Sequence, residues 1–238
     1  MVKWFSGKSV RIEVPRLRSR SDVLPTEKVA LAEFAPDVMG FLGRAAYVQL
    51  KIFETLSRVI TNAPTTAAKT AIGKAAELSL GKHRALVAEI TKAGGSPADV
   101  MDPFTDAFDE FERISRGTDW YESLITAYLS AGFFDDFYAK LAEGLPTESR
   151  TRLVTIFAGE SGEQVLAEYL QAAIDANPRL DSRLAMWGRR LVGDMMLAAR
   201  SALVFPDHTR STEAQVEPVF EELIAAHTRR MDALGLTA

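Results

Sequence analysis

Apolar residues recur every three or four positions along nearly the whole chain after residue 25, which is the spacing of amphipathic helices. Threonine or aspartate precedes several of these periodic segments, and glycine, asparagine or proline follows most of them. The pattern predicts a short helix, six long helices and, between the second and third long helices, a shorter helical connection. These segments cover residues 27–34, 36–61, 65–92, 97–116, 118–143, 147–176, 179–204 and 211–234.

The pattern also predicts how these helices pack. No segment beyond the amino-terminal region alternates apolar and polar residues over the length of a strand, so a Rossmann or barrel fold is disfavoured. The four longest helices would each extend about 40 Å at a rise of about 1.5 Å per residue. Helices of that length pack best side by side. The expected fold class is therefore all-α, a four-helix bundle with additional C-terminal helices, formed by residues 26–238 as one domain.

The first 25 residues have a different character. The whole chain carries a net charge of −4, but residues 1–22 carry six basic and two acidic side chains, a local charge of +4. Such an arm is either a solvated or docked terminus, or a contact for a polyanion such as RNA. Within it, residues 10–14 alternate like one short strand. A lone strand needs a partner edge, which favours pairing with a second copy of the chain as a homodimer.

The composition excludes several classes of chemistry. The chain has no cysteine, which rules out disulfides, thiolate zinc sites, iron–sulfur clusters and cysteine nucleophiles. It has no secretory signal pattern and no uninterrupted apolar stretch of about 18 residues. We therefore expect a cytoplasmic protein without a membrane-spanning helix.

Several ionisable residues fall on or beside the apolar stripes of the long helices. His83 is in the stripe of the second helix, Glu122 in that of the third, and Glu160 and Glu163 in that of the fourth, while Glu54 is at the edge of the first. A buried carboxylate is costly unless it is paired, hydrogen-bonded or bound to metal. Four helices with inward acids and histidine match the pattern of di-iron bundles. Carboxylate and imidazole ligands suit iron or manganese. The alternative is that no metal binds and that His83 is a hydrogen-bonded core histidine, paired with one of these carboxylates.

Seven stretches of the chain resemble the MiaE-like branch of the ferritin-like superfamily, relatives of the tRNA hydroxylase that acts on 2-methylthio-isopentenyl-adenosine. These stretches are residues 46–56, 82–86, 101–104, 119–124, 127–128, 136–138 and 183–193. Trp120-Tyr-Glu-Ser-Leu and the Arg-Leu-Ala-Met-Trp-Gly-Arg-Arg-Leu-Val-Gly of the last stretch are the most specific motifs. The resemblance implies a ferritin-like core, a non-heme di-iron hydroxylase activity with dioxygen as co-substrate, and a tRNA partner.

The family's metal pattern matches this sequence in part. His83 stands where the second helix supplies a histidine, Glu122 where the third supplies a glutamate, and Glu160 where the fourth supplies a carboxylate. These residues, with Glu163 and Glu54, form the candidate ligand set for iron.

Three positions depart from the pattern. Leu80 stands where an acid is expected, Glu163 where a histidine is expected, and Gln49 where the first helix should supply a glutamate. Glu54 replaces Gln49 only if the register of that helix shifts. Leucine has no ligating atom, and a glutamine offers only a neutral carbonyl. The sequence thus supports two hypotheses: a hydroxylase with a partly degraded di-iron or partial metal site, or a non-catalytic ferritin-like protein that acts by binding.

Overall fold

The computed structural model describes residues 34–203 and 210–237, with side chains over 34–203 and 216–237. Its helices are α1 (Val38–Thr61), α2 (Thr66–Lys92), α3 (Pro97–Met101), α4 (Thr105–Ser115), α5 (Trp120–Ala142), α6 (Thr147–Ala158), α7 (Glu163–Ala176), α8 (Arg179–Ser201) and α9 (Arg210–Ala233). A 3₁₀ turn, Asp102–Phe104, joins α3 to α4. The described residues contain no strand, which confirms the all-α prediction. No described helix is long and apolar enough to span a membrane. The predicted arm, its strand and most of the predicted first short helix lie outside the described residues.

Three of the long helices begin at side chains that satisfy their free N–H groups. The Asp37 carboxylate accepts hydrogen bonds from two backbone N–H groups in the first turn of α1. Thr65 caps α2 and Asp119 caps α5 in the same way. A capping oxygen of this kind stabilises a helix by about 1 kcal/mol. The boundaries expected for these three helices, 36–61, 65–92 and 118–143, therefore agree with the observed ones to within a few residues.

α5 is the central element of the bundle. α1 and α2 form a helical hairpin, and α5 packs against α1 on one side and against α6 and α7 on the other. α6 and α7 also contact α2. The four members of the bundle are therefore α1, α2, the α6–α7 pair and α5. Most residues of α5 are buried, so its apolar surface extends around the whole helix. Polar groups on α5 consequently face protein rather than water.

The predicted fourth helix, 147–176, is not continuous. It breaks into α6 and α7 at residues 159–162, because Gly162 adopts a left-handed conformation with φ of 72°. A Cβ at this position would lie 2.7 Å from the Cβ of Ala75 in α2. Only glycine combines that backbone angle with so close a contact. The prediction of one long helix was therefore wrong at this point.

α8 and α9 cover α5 on its remaining side. α8 contacts α4 and α5, and α9 contacts α5 and α8. Two glycines allow α9 to approach closely: a Cβ on Gly132 of α5 would lie 2.2 Å from the Arg230 guanidinium, and one on Gly188 of α8 would lie 2.4 Å from the Met231 sulfur. The additional C-terminal helices expected from the sequence thus pack against α5.

The docking of α9 predicts a pH dependence of stability. His227 of α9 is 2% exposed, and burial together with the Arg230 charge lowers its pKa from 6.5 to about 4. The unfolded chain binds a proton on this histidine below pH 6.5, whereas the folded protein does not. The resulting stability is therefore complete above pH 6.5 and is lost as the pH falls towards 4. We expect a loss of about 2 kcal/mol between pH 7.5 and pH 5 from this group, measured by urea unfolding.

The pH effect is isolated by comparing variants. His227→Gln should remove most of that pH dependence, because it removes the buried group whose pKa is lowered. Equal pH profiles for the wild type and His227→Gln would contradict the assignment.

Candidate functional site

Three polar side chains from three helices meet at the centre of the bundle. Lys82 of α2 donates from its Nζ to the Oδ2 of Asp135 in α5 at 2.5 Å. Gln49 of α1 donates from its Nε2 to the other carboxylate oxygen, Oδ1, at 2.8 Å. Gln49 is 1% exposed, and Lys82 and Asp135 are each 7% exposed. These three residues, the central triad, form a buried polar cluster shared by α1, α2 and α5.

The charges of the central triad offset one another. Burial raises the pKa of the Asp135 carboxyl, and the Lys82 ammonium and the Gln49 amide oppose that rise. Two unpaired charges in such a place would each cost several kcal/mol. The short bond between them, with the amide on the second oxygen, accounts for their burial. The Lys82 ammonium of α2 therefore neutralises the Asp135 carboxylate of α5, and Gln49 of α1 contacts the same carboxylate.

His83 stands one position beside the inward face of α2. The buried positions there are Ser79, Lys82 and Leu86, and His83 is only partly buried. Its Nδ1 lies 2.9 Å from the backbone carbonyl of Ala46. Because a carbonyl oxygen only accepts, Nδ1 carries the proton in this bond. One residue along a helix is a rotation of about 100°, so the inward position belongs to the lysine and the histidine binds the backbone of α1.

Glu122 is buried, and its carboxylate is hydrogen-bonded to the residue that precedes the N-cap of α5. Its Oε2 accepts hydrogen bonds from the backbone N–H and the hydroxyl of Thr118, at 2.8 and 2.5 Å. Asp119 caps the Glu122 N–H in return and pairs with Arg183 at 2.5 Å. Asp119 and Glu122 together therefore satisfy N–H groups on both sides of the start of this helix. The sequence correctly predicted that Glu122 lies inside, but its Oε2 is engaged by Thr118 at the helix terminus and its Oε1 lies 3.8 Å from the Nε of Arg183.

Two further candidates face solvent. Glu54 has a 41% exposed side chain and pairs with Lys51 at 2.7 Å on the same helix. Glu160 lies in the break between α6 and α7 and is exposed. The prediction that Glu160 shares a face with the apolar residues of the fourth helix required that helix to be continuous. The break at 159–162 interrupts the helix, so the predicted face does not extend through Glu160.

Glu163 participates in an ion-pair cluster at the side of the bundle. The Arg230 guanidinium of α9 bonds to Glu163 at 2.8 Å and to Asp136 of α5 at 2.9 Å. Arg230 is 13% exposed at its side chain and fits into the space beside Gly132. Glu163 therefore helps to hold α9 on the bundle.

The five candidate ligands do not converge in the described part of the chain. Glu122 precedes Asp135 by 13 residues on α5, a separation of about 20 Å along the helix, and His83 follows Lys82, the partner of Asp135. Within residues 34–203 and the described part of α9, no group of three histidine, cysteine, aspartate or glutamate side chains is placed to hold a metal ion. The iron ligand set stays a prediction.

The donor chemistry of the central triad does not fit iron. An iron site in a helical bundle needs several carboxylate and imidazole donors around one point. The central triad offers one carboxylate, whose two oxygens are both engaged, one neutral amide and a positively charged ammonium. An ammonium repels a metal cation and has no lone pair to donate.

Sequence reasoning missed Lys82 and Asp135, although one signal was present. Asp135 lies within the apolar run of residues 131–138, on a helix that is apolar all round. An acid in such a helix requires a partner. The sequence alone did not identify that partner, because Lys82 and His83 are adjacent and either could have faced inward.

A second feature is a cleft between α1, α4 and α5. Its outer part has a volume of about 380 Å³ and is lined by Arg58, Arg116 and Trp120 among others. Its inner part is a small slot of about 30 Å³ between apolar side chains, including Phe108 and Phe134. Four residues line both parts, Thr55, Glu112, Ser115 and Thr126, so the two adjoin. We call them the vestibule and the slot.

Glu112 organises the charges of this cleft. Its carboxylate pairs with Lys51, with Arg58 at 2.8 Å and with Arg116 at 3.0 Å. Burial opposes ionisation of Glu112, but these three cations hold the pKa of its carboxyl below its usual value. One half-buried acid thus positions three basic side chains at the junction of the vestibule and the slot.

Comparison with protein families gives one match. A family model described as ferritin-like domain, actinomycetes, matches residues 32–211, which include α1 to α8 and the start of α9. The match supports the ferritin-like fold class and does not distinguish the MiaE-like branch. Comparison with curated proteins gives no match.

Proposed function

The chain belongs to the family of ferritin-like domains of actinomycetes, and on this premise we propose that it is a non-catalytic member that acts by binding. The single observation that carries the proposal is the ion pair between Lys82 and Asp135 in the bundle centre. Di-iron members of this fold concentrate carboxylates and histidines there. In this chain the same interior is stabilised by an internal ammonium group.

The pair supports this function through the charge that it supplies. Lys82 brings one positive charge to Asp135 from within the chain, so the carboxylate requires no metal cation to be buried. Gln49, which stands where the resemblance expects a glutamate, donates to the same carboxylate instead of adding a negative charge. The three residues therefore form an internal hydrogen-bonded cluster, and one of them, Gln49, stands at a position where the resemblance expects a metal ligand.

The competing function is the hydroxylase implied by the resemblance. It would require Glu54, His83, Glu122, Glu160 and Glu163 to gather around iron, and each of these has another partner or faces solvent. The predicted homodimer and tRNA partners are separate predictions. The homodimer rests on the basic arm, which lies outside the described residues, and the tRNA partner rests on that arm and on the resemblance.

Iron loading tests the proposal. We expect protein purified after iron supplementation to retain less than about 0.2 iron per chain, because no cluster of donors competes for the ion. The Gln49→Glu, Lys82→Glu double variant, which places two more acids beside Asp135, is expected to gain a divalent cation and to melt at a higher temperature with the metal than without it. Elemental analysis and thermal unfolding measure both.

A matched control separates specific from surface binding. Lys74→Glu makes the same charge change as Lys82→Glu, but on an exposed side chain of α2, 54% accessible, and should not gain metal. The proposal would be overturned if the wild type held stoichiometric iron and changed its optical spectrum on addition of dioxygen or peroxide. That result would favour the hydroxylase hypothesis.

A further inference from the structure

We propose that the cleft between α1, α4 and α5 binds a small carboxylic acid whose chain carries a second oxygen near its far end. The carboxylate would lie in the vestibule at Arg58 and Arg116, and the far end would reach Ser130 in the slot. This inference rests on the proposed binding function and specifies the ligand class.

Ser130 is the observation that points to a ligand. It lies on α5, is 5% exposed and lines the slot. Its hydroxyl has no hydrogen-bond partner within the described part of the chain. A buried hydroxyl without a partner costs about 1–3 kcal/mol. A ligand oxygen that reaches the slot would remove that cost.

The walls of the slot favour an apolar chain. Val48 and Ile52 of α1 face Phe108 and Phe111 of α4 across it, and Phe134 of α5 lies at the same level. The volume of about 30 Å³ corresponds to roughly two water-sized spheres. Only the narrow end of an unbranched molecule fits there, while the remainder occupies the larger vestibule.

The vestibule favours a carboxylate. Arg58 and Arg116 are 44% and 63% exposed at their side chains, and each uses one nitrogen for its contact with Glu112. A guanidinium has five N–H donors, so both retain donors for a second acid. The amino terminus of α5, a helix of 23 residues, adds a favourable dipole at the same wall. The charge of Asp119 is already matched by Arg183.

The helix sets the length of the ligand. Ser123, in the vestibule, precedes Ser130 by seven residues on α5, which corresponds to about 10 Å along the axis. A six-carbon chain with an oxygen at each end spans a similar distance. 6-Hydroxyhexanoate is therefore a suitable probe, hexanoate lacks the oxygen for Ser130, and 1,6-hexanediol lacks the carboxylate.

Calorimetric titration with these three probes tests the proposal. We expect saturable binding of 6-hydroxyhexanoate to the full chain, with hexanoate and hexanediol each bound about 5–10-fold more weakly, the effect of one buried hydrogen bond or one exposed charge contact. In Ser130→Ala, 6-hydroxyhexanoate should lose its advantage over hexanoate. This variant removes an unpartnered hydroxyl, so it is expected to fold.

Arg113 of α4 and Arg116, the residue that follows α4, provide the matched control. Arg116→Ala should weaken both acids about 5–10-fold and leave hexanediol unchanged. Arg113, 69% exposed and paired with Glu110 on the same helix, lies outside the cleft lining, and Arg113→Ala should change nothing. Equal binding of all three probes, or equal losses in the two arginine variants, would overturn the ligand class. So would the absence of binding to protein with a native circular dichroism spectrum, and because iron uptake is measured independently, that result would leave the assignment of the bundle centre standing.

Discussion

Lys82→Ala is expected to lower the free energy of unfolding by about 3–5 kcal/mol, the largest effect of any single substitution considered for this protein. The variant leaves the Asp135 carboxylate buried with only the Gln49 amide as a partner. Such a carboxylate must then be protonated or draw water into the bundle, and both states are costly. Urea unfolding at neutral pH, followed by far-ultraviolet circular dichroism, measures the change.

Two control variants separate the ion pair from the loss of a side chain. Lys82→Met combined with Asp135→Asn removes both charges, keeps similar volumes and retains an acceptor for Gln49, so its stability should lie within about 1 kcal/mol of the wild type. Lys74→Ala removes an exposed lysine paired with Glu77 on the same helix and should cost at most about 1 kcal/mol. A cost below about 1 kcal/mol for Lys82→Ala would show that the central pair is not closed as described.

Gly43→Ala is expected to destabilise the fold by about 3 kcal/mol, although alanine is the better helix former. A Cβ at position 43 of α1 would lie 2.2 Å from the carbonyl oxygen of Val100 in α3 and 2.8 Å from the ring of Phe104. The obstructing atom belongs to the backbone, so no side-chain rotation relieves the contact. α1 and α3 would have to separate. Thermal and urea unfolding measure the loss.

Gly73→Ala provides the opposite result as a control. A Cβ at Gly73, within α2, would meet nothing within 4 Å. Because alanine restricts the unfolded chain more than glycine does, we expect this variant to gain about 0.5–1 kcal/mol. If Gly43→Ala were also neutral or stabilising, the close approach of α1 to α3 would be contradicted.

Both predictions concern how the bundle closes, and the proposed function depends on this closure. The central triad holds α1, α2 and α5 together, and the cleft that we propose as the binding site lies between α1, α4 and α5. α1 and α5 therefore belong to both features. The hydrogen bond from Gln49 to Asp135 joins these two helices directly.

The helices could be predicted because their causes are local. The three-to-four residue spacing of apolar positions, the caps at Thr65 and Asp119, and the stop at residues 94–95 are readable along the chain. The same pattern predicted that Glu122 lies in the interior, and Glu122 is buried. It failed at Gly162, because an interruption by a left-handed glycine depends on how closely α7 approaches Ala75 in α2.

The candidate site could be predicted only in part. The sequence established that the bundle interior contains polar groups and that Gln49, Leu80 and Glu163 depart from a di-iron pattern. The sequence predicted that His83 lies in the apolar stripe, and only the packing of the helices decided that Lys82, about 100° away around the helix, takes the inward position instead. The periodicity of one segment defines the buried face of a helix to within about one residue. An ion pair between two helices depends on how both helices are oriented about their axes. That orientation follows from the packing of all the neighbouring helices.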